Sequence, residues 1–304
     1  MLATVDTGSG HPVLLLHGQP GTKASWAPLI GLLARRFRVL APDRPGYGDT
    51  EGEAMGMAEN ADVVATFLRS RGAGPATVVG HSWSGGVAVL LAHRHPDTVR
   101  SLVLVGAVGT RDSVNGLDRL MVVPGIGDFL TVGALTGIGV VLPRVRSLLK
   151  RTSRRTRREG RRAAPISGPG QASATDRHRR WEVRRSKARS YLAASLPNET
   201  MPGGWRAPWG RERRTFMSEQ RALLAELPTI TGLLSEIHVP TSVVAGTWDL
   251  VVPPSAARSL TAAIPDAELV VIPEIGHFVA RDASAILAEV IADTDQRARS
   301  ASPE

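Results

Sequence analysis

The stretch that most constrains this chain runs Thr77-Val78-Val79-Gly80-His81-Ser82-Trp83-Ser84-Gly85-Gly86-Val87-Ala88-Val89-Leu90-Leu91. A β-branched apolar run enters a Gly/Ser cluster, and an Ala/Leu run leaves it. That order predicts a strand, a sharp turn and a helix, with a serine at the tip of the turn. Glycine tolerates strained backbone angles and lets strand and helix approach closely. The N–H groups at the start of the helix then point at whatever sits above the serine. This is the layout of a nucleophile elbow, G-x-S-x-G. Ser84 stands where the closing glycine is expected, with Gly85 and Gly86 just after it. A shifted register would make Ser84 the nucleophile. Ser82 is preferred, because Gly80 directly follows the strand and the shift would push the serine half a turn into the helix.

The neighbouring segments supply the rest of a sheet. Val13-Leu14-Leu15-Leu16 is a short continuous apolar run, as in a strand buried on both faces. It ends in the loop His17-Gly18-Gln19-Pro20-Gly21. Residues 26–36 have helical spacing. Arg38-Val39-Leu40-Ala41 reads as a strand that stops at the turn-rich Pro42-Asp43-Arg44-Pro45-Gly46-Tyr47-Gly48. A helix over 59–71 precedes the elbow, and Ser101–Val105 is the next strand. The alternation resumes late in the chain, with a helix over 221–234, a strand over 240–245 and a helix over 255–263. A last strand over 268–272 and a helix over about 283–293 follow. Such alternation predicts an α/β fold with a mostly parallel, doubly wound sheet. Residues 1–110 and 220–304 form its core, and residues 111–219 are an insert.

Charge separates the two parts. The net charge is +9 over 304 residues. From Leu142 to Met217 there are 21 Lys+Arg against 5 Asp+Glu, and the remainder holds 16 against 23. A mildly acidic body therefore carries a strongly basic insert. Leu120–Leu142 is apolar and Gly-rich. Its length is that of a membrane span, but its glycines, Pro124 and isolation point to short helices lining a pocket. Residues 163–175 read as a flexible Pro/Gly/Ser/Ala-rich loop. An Arg-rich face can attract nucleic acid or anionic lipid. The scarcity of aromatic residues in 144–162 and the lack of a DNA-binding motif argue against nucleic acid, and a peripheral membrane contact is the weaker alternative. The chain has no cysteine, so disulfides and thiolate chemistry are excluded. The first residues lack the basic and apolar blocks of a signal peptide, so a cytoplasmic location is expected.

A serine hydroxyl needs a base to take its proton, and the base needs a group to hold its tautomer. The C-terminal part offers Asp249, just past the strand ending at Ala245, and His277, just past the strand ending at Ile272. Ligands of open α/β sheets bind beyond the carboxyl ends of the strands, so Ser82, Asp249 and His277 reach one edge from three strands. Asp112 is a fallback acid. The oxyanion donors expected are the backbone N–H groups of Trp83 and Gln19. His17 is read as holding its loop, and Asp43 and Arg44 as fixing a turn.

Taken together, His17-Gly18-Gln19-Pro20-Gly21, Asp43-Arg44-Pro45-Gly46-Tyr47-Gly48, the Ser82 elbow, the acid loop over 246–253 and Gly276-His277 resemble the α/β-hydrolase superfamily. They are most similar to capped bacterial esterases and lipases, haloperoxidase-like perhydrolases and epoxide-hydrolase relatives. The resemblance covers about 13–113 and 221–293. It implies a Ser82-Asp249-His277 triad, an oxyanion hole at Gln19 and Trp83, and a mobile cap. Epoxide hydrolases and haloalkane dehalogenases of this fold use an aspartate nucleophile, so Ser82 argues against both activities. Proline iminopeptidases usually carry a second Gly where Gln19 stands. The short segment before Val13 leaves room for one strand only, so the first strand of the family is expected to be missing.

The sequence thus predicts a serine hydrolase that cleaves small carboxylic esters of short to medium chain, with no cofactor and no metal. Perhydrolysis or acyl transfer by the same triad is an alternative. Another is a non-catalytic protein that binds polyanions through its insert.

Overall fold

The computed structural model describes residues 1–123 and 210–301. The inserted segment from Pro124 to Trp209 lies outside the described residues, and with it most of the expected cap, its Arg-rich half and most of the apolar Leu120–Leu142 stretch.

Among the described residues, seven strands form one sheet in the order β1-β3-β2-β4-β5-β6-β7. They are β1 (Thr4–Thr7), β2 (His11–Leu16), β3 (Phe37–Pro42), β4 (Ala76–His81), β5 (Val99–Val105), β6 (Thr241–Gly246) and β7 (Glu268–Ile272). Only β1 runs antiparallel, pairing Thr4 with Pro42 through Thr7 with Val39. The other pairs are parallel. As expected, a single strand precedes Val13.

The apolar runs of the central strands are explained by burial on both faces. Leu14 and Leu16 face one core, and Val13 and Leu15 face the other. The same alternation separates Leu102 and Leu104 from Val103 and Val105. The first core is covered by helices α2 (Met57–Ser70), α3 (Ser84–Arg94), α5 (Arg211–Leu233) and α6 (Pro254–Ala263). The second lies beneath α1 (Ala27–Leu33), α7 (Val279–Asp282) and α8 (Ser284–Ala301). A short helix α4 (Gly116–Met121) leads into the insert.

Two helices are longer than their sequence patterns suggest. Helix α5 begins at Arg211, ten residues before the apolar periodicity becomes clear. Its first turns are held by polar contacts: Arg211 donates to the carbonyls of Thr50 and Gly52, and Thr215 Oγ1 donates to the Gly46 carbonyl at 3.2 Å. The core–insert boundary drawn at residue 220 falls inside this helix. Helix α8 runs on past Asp293 because its buried stripe turns polar. Thr294 meets the Ser242 hydroxyl at 2.7 Å, and Asp295 Oδ1 accepts from Thr77 Oγ1 at 3.1 Å.

The chain leaves β2 toward β3 on one side and later crosses to β4 on the other. Such a reversal of strand order at the carboxyl edge of the sheet is where open α/β folds bind their ligands.

Candidate active site

Ser82 follows β4 with φ of 55°, in the left-handed region that a side-chain-bearing residue enters only when its surroundings hold it. Three backbone hydrogen bonds do so. Ser82 N donates to the Val105 carbonyl at 3.0 Å, and the Ser82 carbonyl accepts from Gly85 N at 2.9 Å and Val108 N at 3.1 Å. A Cβ at Gly80 would come within 2.5 Å of the Ser84 carbonyl, so the start of α3 can fold back onto β4 only with glycine there. Ser84 is accommodated because its buried hydroxyl donates to the His17 carbonyl at 2.5 Å. A glycine could not make this tie between the elbow and the loop after β2.

Asp249 and His277 meet at the ends of β6 and β7. Asp249 Oδ2 lies 2.8 Å from His277 Nδ1, and Oδ1 accepts from the N–H groups of Val251 and Val252, both at 2.9 Å. Both side chains are buried. A carboxylate facing Nδ1 fixes the proton there and leaves the lone pair on Nε2. The His277 carbonyl accepts from His81 Nε2 at 3.0 Å, and the two rings lie 4.7 Å apart between centroids. His81 directly precedes Ser82, so this contact brings the elbow and the Asp249–His277 pair to one place. Neither of these His277 bonds involves Ser82. Burial, and then the nearness of His277, pushes His81 down to about 3 and keeps it neutral.

Gly106, just past β5, has φ of 48°. A Cβ there would lie 3.1 Å from Asp249 Oδ2 and 3.2 Å from His277 Nδ1. Glycine lets the pair sit over the end of β5 without either side chain giving way. In the sequence a lone glycine after a strand reads as an ordinary turn, so Gly106 carries no motif there. The fallback acid Asp112 is engaged elsewhere, with Oδ2 accepting from Ser259 Oγ at 2.5 Å.

The loop after β2 crosses above the elbow, and a Cβ at Gly18 would come 2.9 Å from Ser82 Cβ. The backbone N–H groups of Gln19 and Trp83 have no internal hydrogen-bond partner among the described residues. The Gln19 side chain is committed to α5, donating to the Phe216 carbonyl at 2.7 Å. His17 is fully buried and bonded at both ring nitrogens: Nδ1 donates to the Gly18 carbonyl at 2.9 Å, and Nε2 accepts from Arg44 N at 3.0 Å. Burial, reinforced by Arg44, holds it well below the usual histidine range, in keeping with a loop-holding role.

Arg44 is more than a turn former. It is fully buried and pairs with Glu219 of α5. Its guanidinium also donates to the carbonyls of His17 and Gly18, both at 3.1 Å. Glu219 carried no motif and lies far from these residues in sequence, so nothing in the sequence pointed to it.

The chain matches the alpha/beta hydrolase fold family over residues 11–283. The protein belongs to that family. An uncharacterized protein of Mycobacterium tuberculosis is 28% identical over 286 residues, covering 93% of this chain and 75% of the relative. The 2-hydroxymuconate semialdehyde hydrolase of a Pseudomonas species is 38% identical over 122 residues, covering 38% of this chain and 43% of that enzyme. Among solved structures, a thermophilic esterase from Thermogutta terrifontis superposes with a TM-score of 0.65 at 21% identity, covering 98% of this chain and 93% of the esterase. The chain thus has hydrolases among its sequence relatives, and its likeness to the esterase is one of fold. Among the described residues, no helix is long and apolar enough to cross a membrane.

Proposed function

We propose that this protein is a serine hydrolase that cleaves carboxylic esters of short to medium acyl chain through an acyl-enzyme. The observation that carries this reading is the buried Asp249–His277 hydrogen bond of 2.8 Å, held beside a serine at φ of 55°. Ser82 Oγ attacks the ester carbonyl while His277 Nε2 takes its proton. The N–H groups of Gln19 and Trp83 bind the oxygen as it gains charge. His277 returns the proton to the leaving alcohol, which breaks the C–O bond and leaves Ser82 acylated. His277 then takes a proton from water, the hydroxide oxygen attacks the acyl carbon, and the proton returns to Ser82 as the acid leaves. Asp249 holds the imidazole tautomer and stabilises its charged form.

The test is hydrolysis of p-nitrophenyl esters from acetate to palmitate by wild type and Ser82→Ala. Activity that peaks at short or medium chains and is lost in the variant is expected. Equal rates in both proteins would sink this mechanism.

One observation favours a second reading. The identity to 2-hydroxymuconate semialdehyde hydrolase is the higher one, 38% over 122 residues. The same Ser82 machinery would then act on a 2-hydroxymuconate semialdehyde-like acid. Turnover of that compound faster than of any ester in the series would favour it.

A further inference from the structure

Helix α5 carries a buried carboxylate that no step above uses. Glu219 of α5 has no solvent exposure. Its two oxygens accept from the Arg44 guanidinium and from the Tyr47 hydroxyl, the latter at 2.8 Å. Its backbone carbonyl accepts from Trp83 Nε1 at 3.1 Å. Arg44 stacks 4.4 Å from the Trp83 ring and also donates to the carbonyls of His17 and Gly18. One turn earlier on the helix, the Phe216 carbonyl holds the Gln19 side chain. Both proposed oxyanion donors are thus tied to a single turn of α5, one through the loop after β2 and the other through the indole of Trp83.

We infer that Glu219 is a positioning residue for the oxyanion hole, acting through Arg44 and Trp83 to set the backbone N–H groups of Gln19 and Trp83. The inference rests on the ester-hydrolase reading. A buried carboxylate is retained only when its pairing is nearly complete. A planar guanidinium shared between a carboxylate and two carbonyls fixes direction as well as distance. An oxyanion donor acts over a narrow range, roughly 2.7–3.1 Å from the charge that develops, so a small tilt of the loop lowers turnover more than substrate binding. Glu226, two turns further along α5, is a natural contrast. It accepts from Met57 N at 3.0 Å and Ala58 N at 2.8 Å, which fastens α2 and touches none of the site.

The experiment uses the full chain as wild type, Glu219→Gln, Tyr47→Phe and Glu226→Gln. Turnover of p-nitrophenyl butyrate is expressed per Ser82 titrated with a fluorophosphonate. Glu219→Gln is expected to lower kcat about tenfold to a hundredfold with KM within about twofold, and to slow fluorophosphonate labelling in the same proportion. Tyr47→Phe removes one hydrogen bond from the same carboxylate and is expected to move kcat the same way by a few-fold. Should Glu219→Gln not fold, Tyr47→Phe decides alone. Glu226→Gln is expected to lower Tm and leave kcat per titrated site unchanged. Wild-type kcat per titrated site in Glu219→Gln and Tyr47→Phe, or a change confined to KM, overturns the inference while the ester-hydrolase reading stands. A wild type that is neither labelled at Ser82 nor active on any ester overturns both.

Discussion

At the scale of single residues, the site is shaped by positions where a side chain is missing or a charge is withheld. Gly106 shows the first. Its φ of 48° disfavours any Cβ, and that Cβ would press on Asp249 and His277 at 3.1 and 3.2 Å. Gly106→Ala is expected to destabilise the fold by about 1 kcal/mol or more from the backbone alone. It should also lower ester turnover beyond what the unfolded fraction explains, because the acid–base pair must shift. Thermal melts beside kcat per titrated serine would check this, and unchanged turnover would show that the pair has slack. His81 shows the second. It is held near 3 in the folded protein against an ordinary value of 6.5. The unfolded chain therefore binds a proton that the folded chain refuses as pH falls below about 6.5. Stability from His81 is complete above that pH and is lost progressively toward pH 3, by about 2 kcal/mol between pH 7 and pH 5. His81→Gln keeps a donor for the His277 carbonyl and does not titrate. Denaturant midpoints from pH 7 to pH 5 are expected to fall less steeply in this variant than in wild type.

At the scale of elements, one helix takes its cap from a distant part of the chain. Helix α2 is preceded at its N-cap by Gly56, which has no side chain to cap it, and the Glu226 carboxylate fills that place from α5. A carboxylate at a helix N-terminus satisfies open N–H groups and favours the helix dipole. Glu226→Ala is expected to destabilise the protein by about 1–2 kcal/mol, read as a lower denaturant midpoint with normal turnover. Gly56 is also where the chain needs no Cβ, since one would meet Glu226 Oε1 at 2.5 Å. These relations explain which elements were legible in the sequence. The β2, β4 and β5 runs stand out because both faces are apolar, and β7 was bounded correctly at Glu268–Ile272. The start of α5 and the end of α8 were not legible. Both are stabilised by polar side chains that pair across the tertiary structure, such as Thr294 with Ser242 and Arg211 with the Thr50 carbonyl. A periodicity argument counts such residues as solvent-facing.

At the scale of the whole molecule, the candidate site joins two parts of the chain separated by the insert. Ser82, Asp249 and His277 could be proposed from sequence because each follows a recognisable strand and strands deliver to one edge. The Arg44–Glu219 pair could not, since its members are 175 residues apart and neither stands in an apolar pattern. Yet this pair is what fixes α5 against the loop after β2 and against the elbow. Removing one partner strands the other charge in the interior. Glu219→Ala is accordingly expected to lose about 3–5 kcal/mol in denaturant unfolding. Replacing both, as Arg44→Met with Glu219→Leu, removes the unpaired charge, so most of that stability should return. Ester turnover should not return with it, because an apolar contact has no direction with which to hold the carbonyls of His17 and Gly18. A double variant that regains both would mean the ion pair serves packing alone. Regaining stability without turnover would separate the two contributions and locate the pair's value in the geometry of the site.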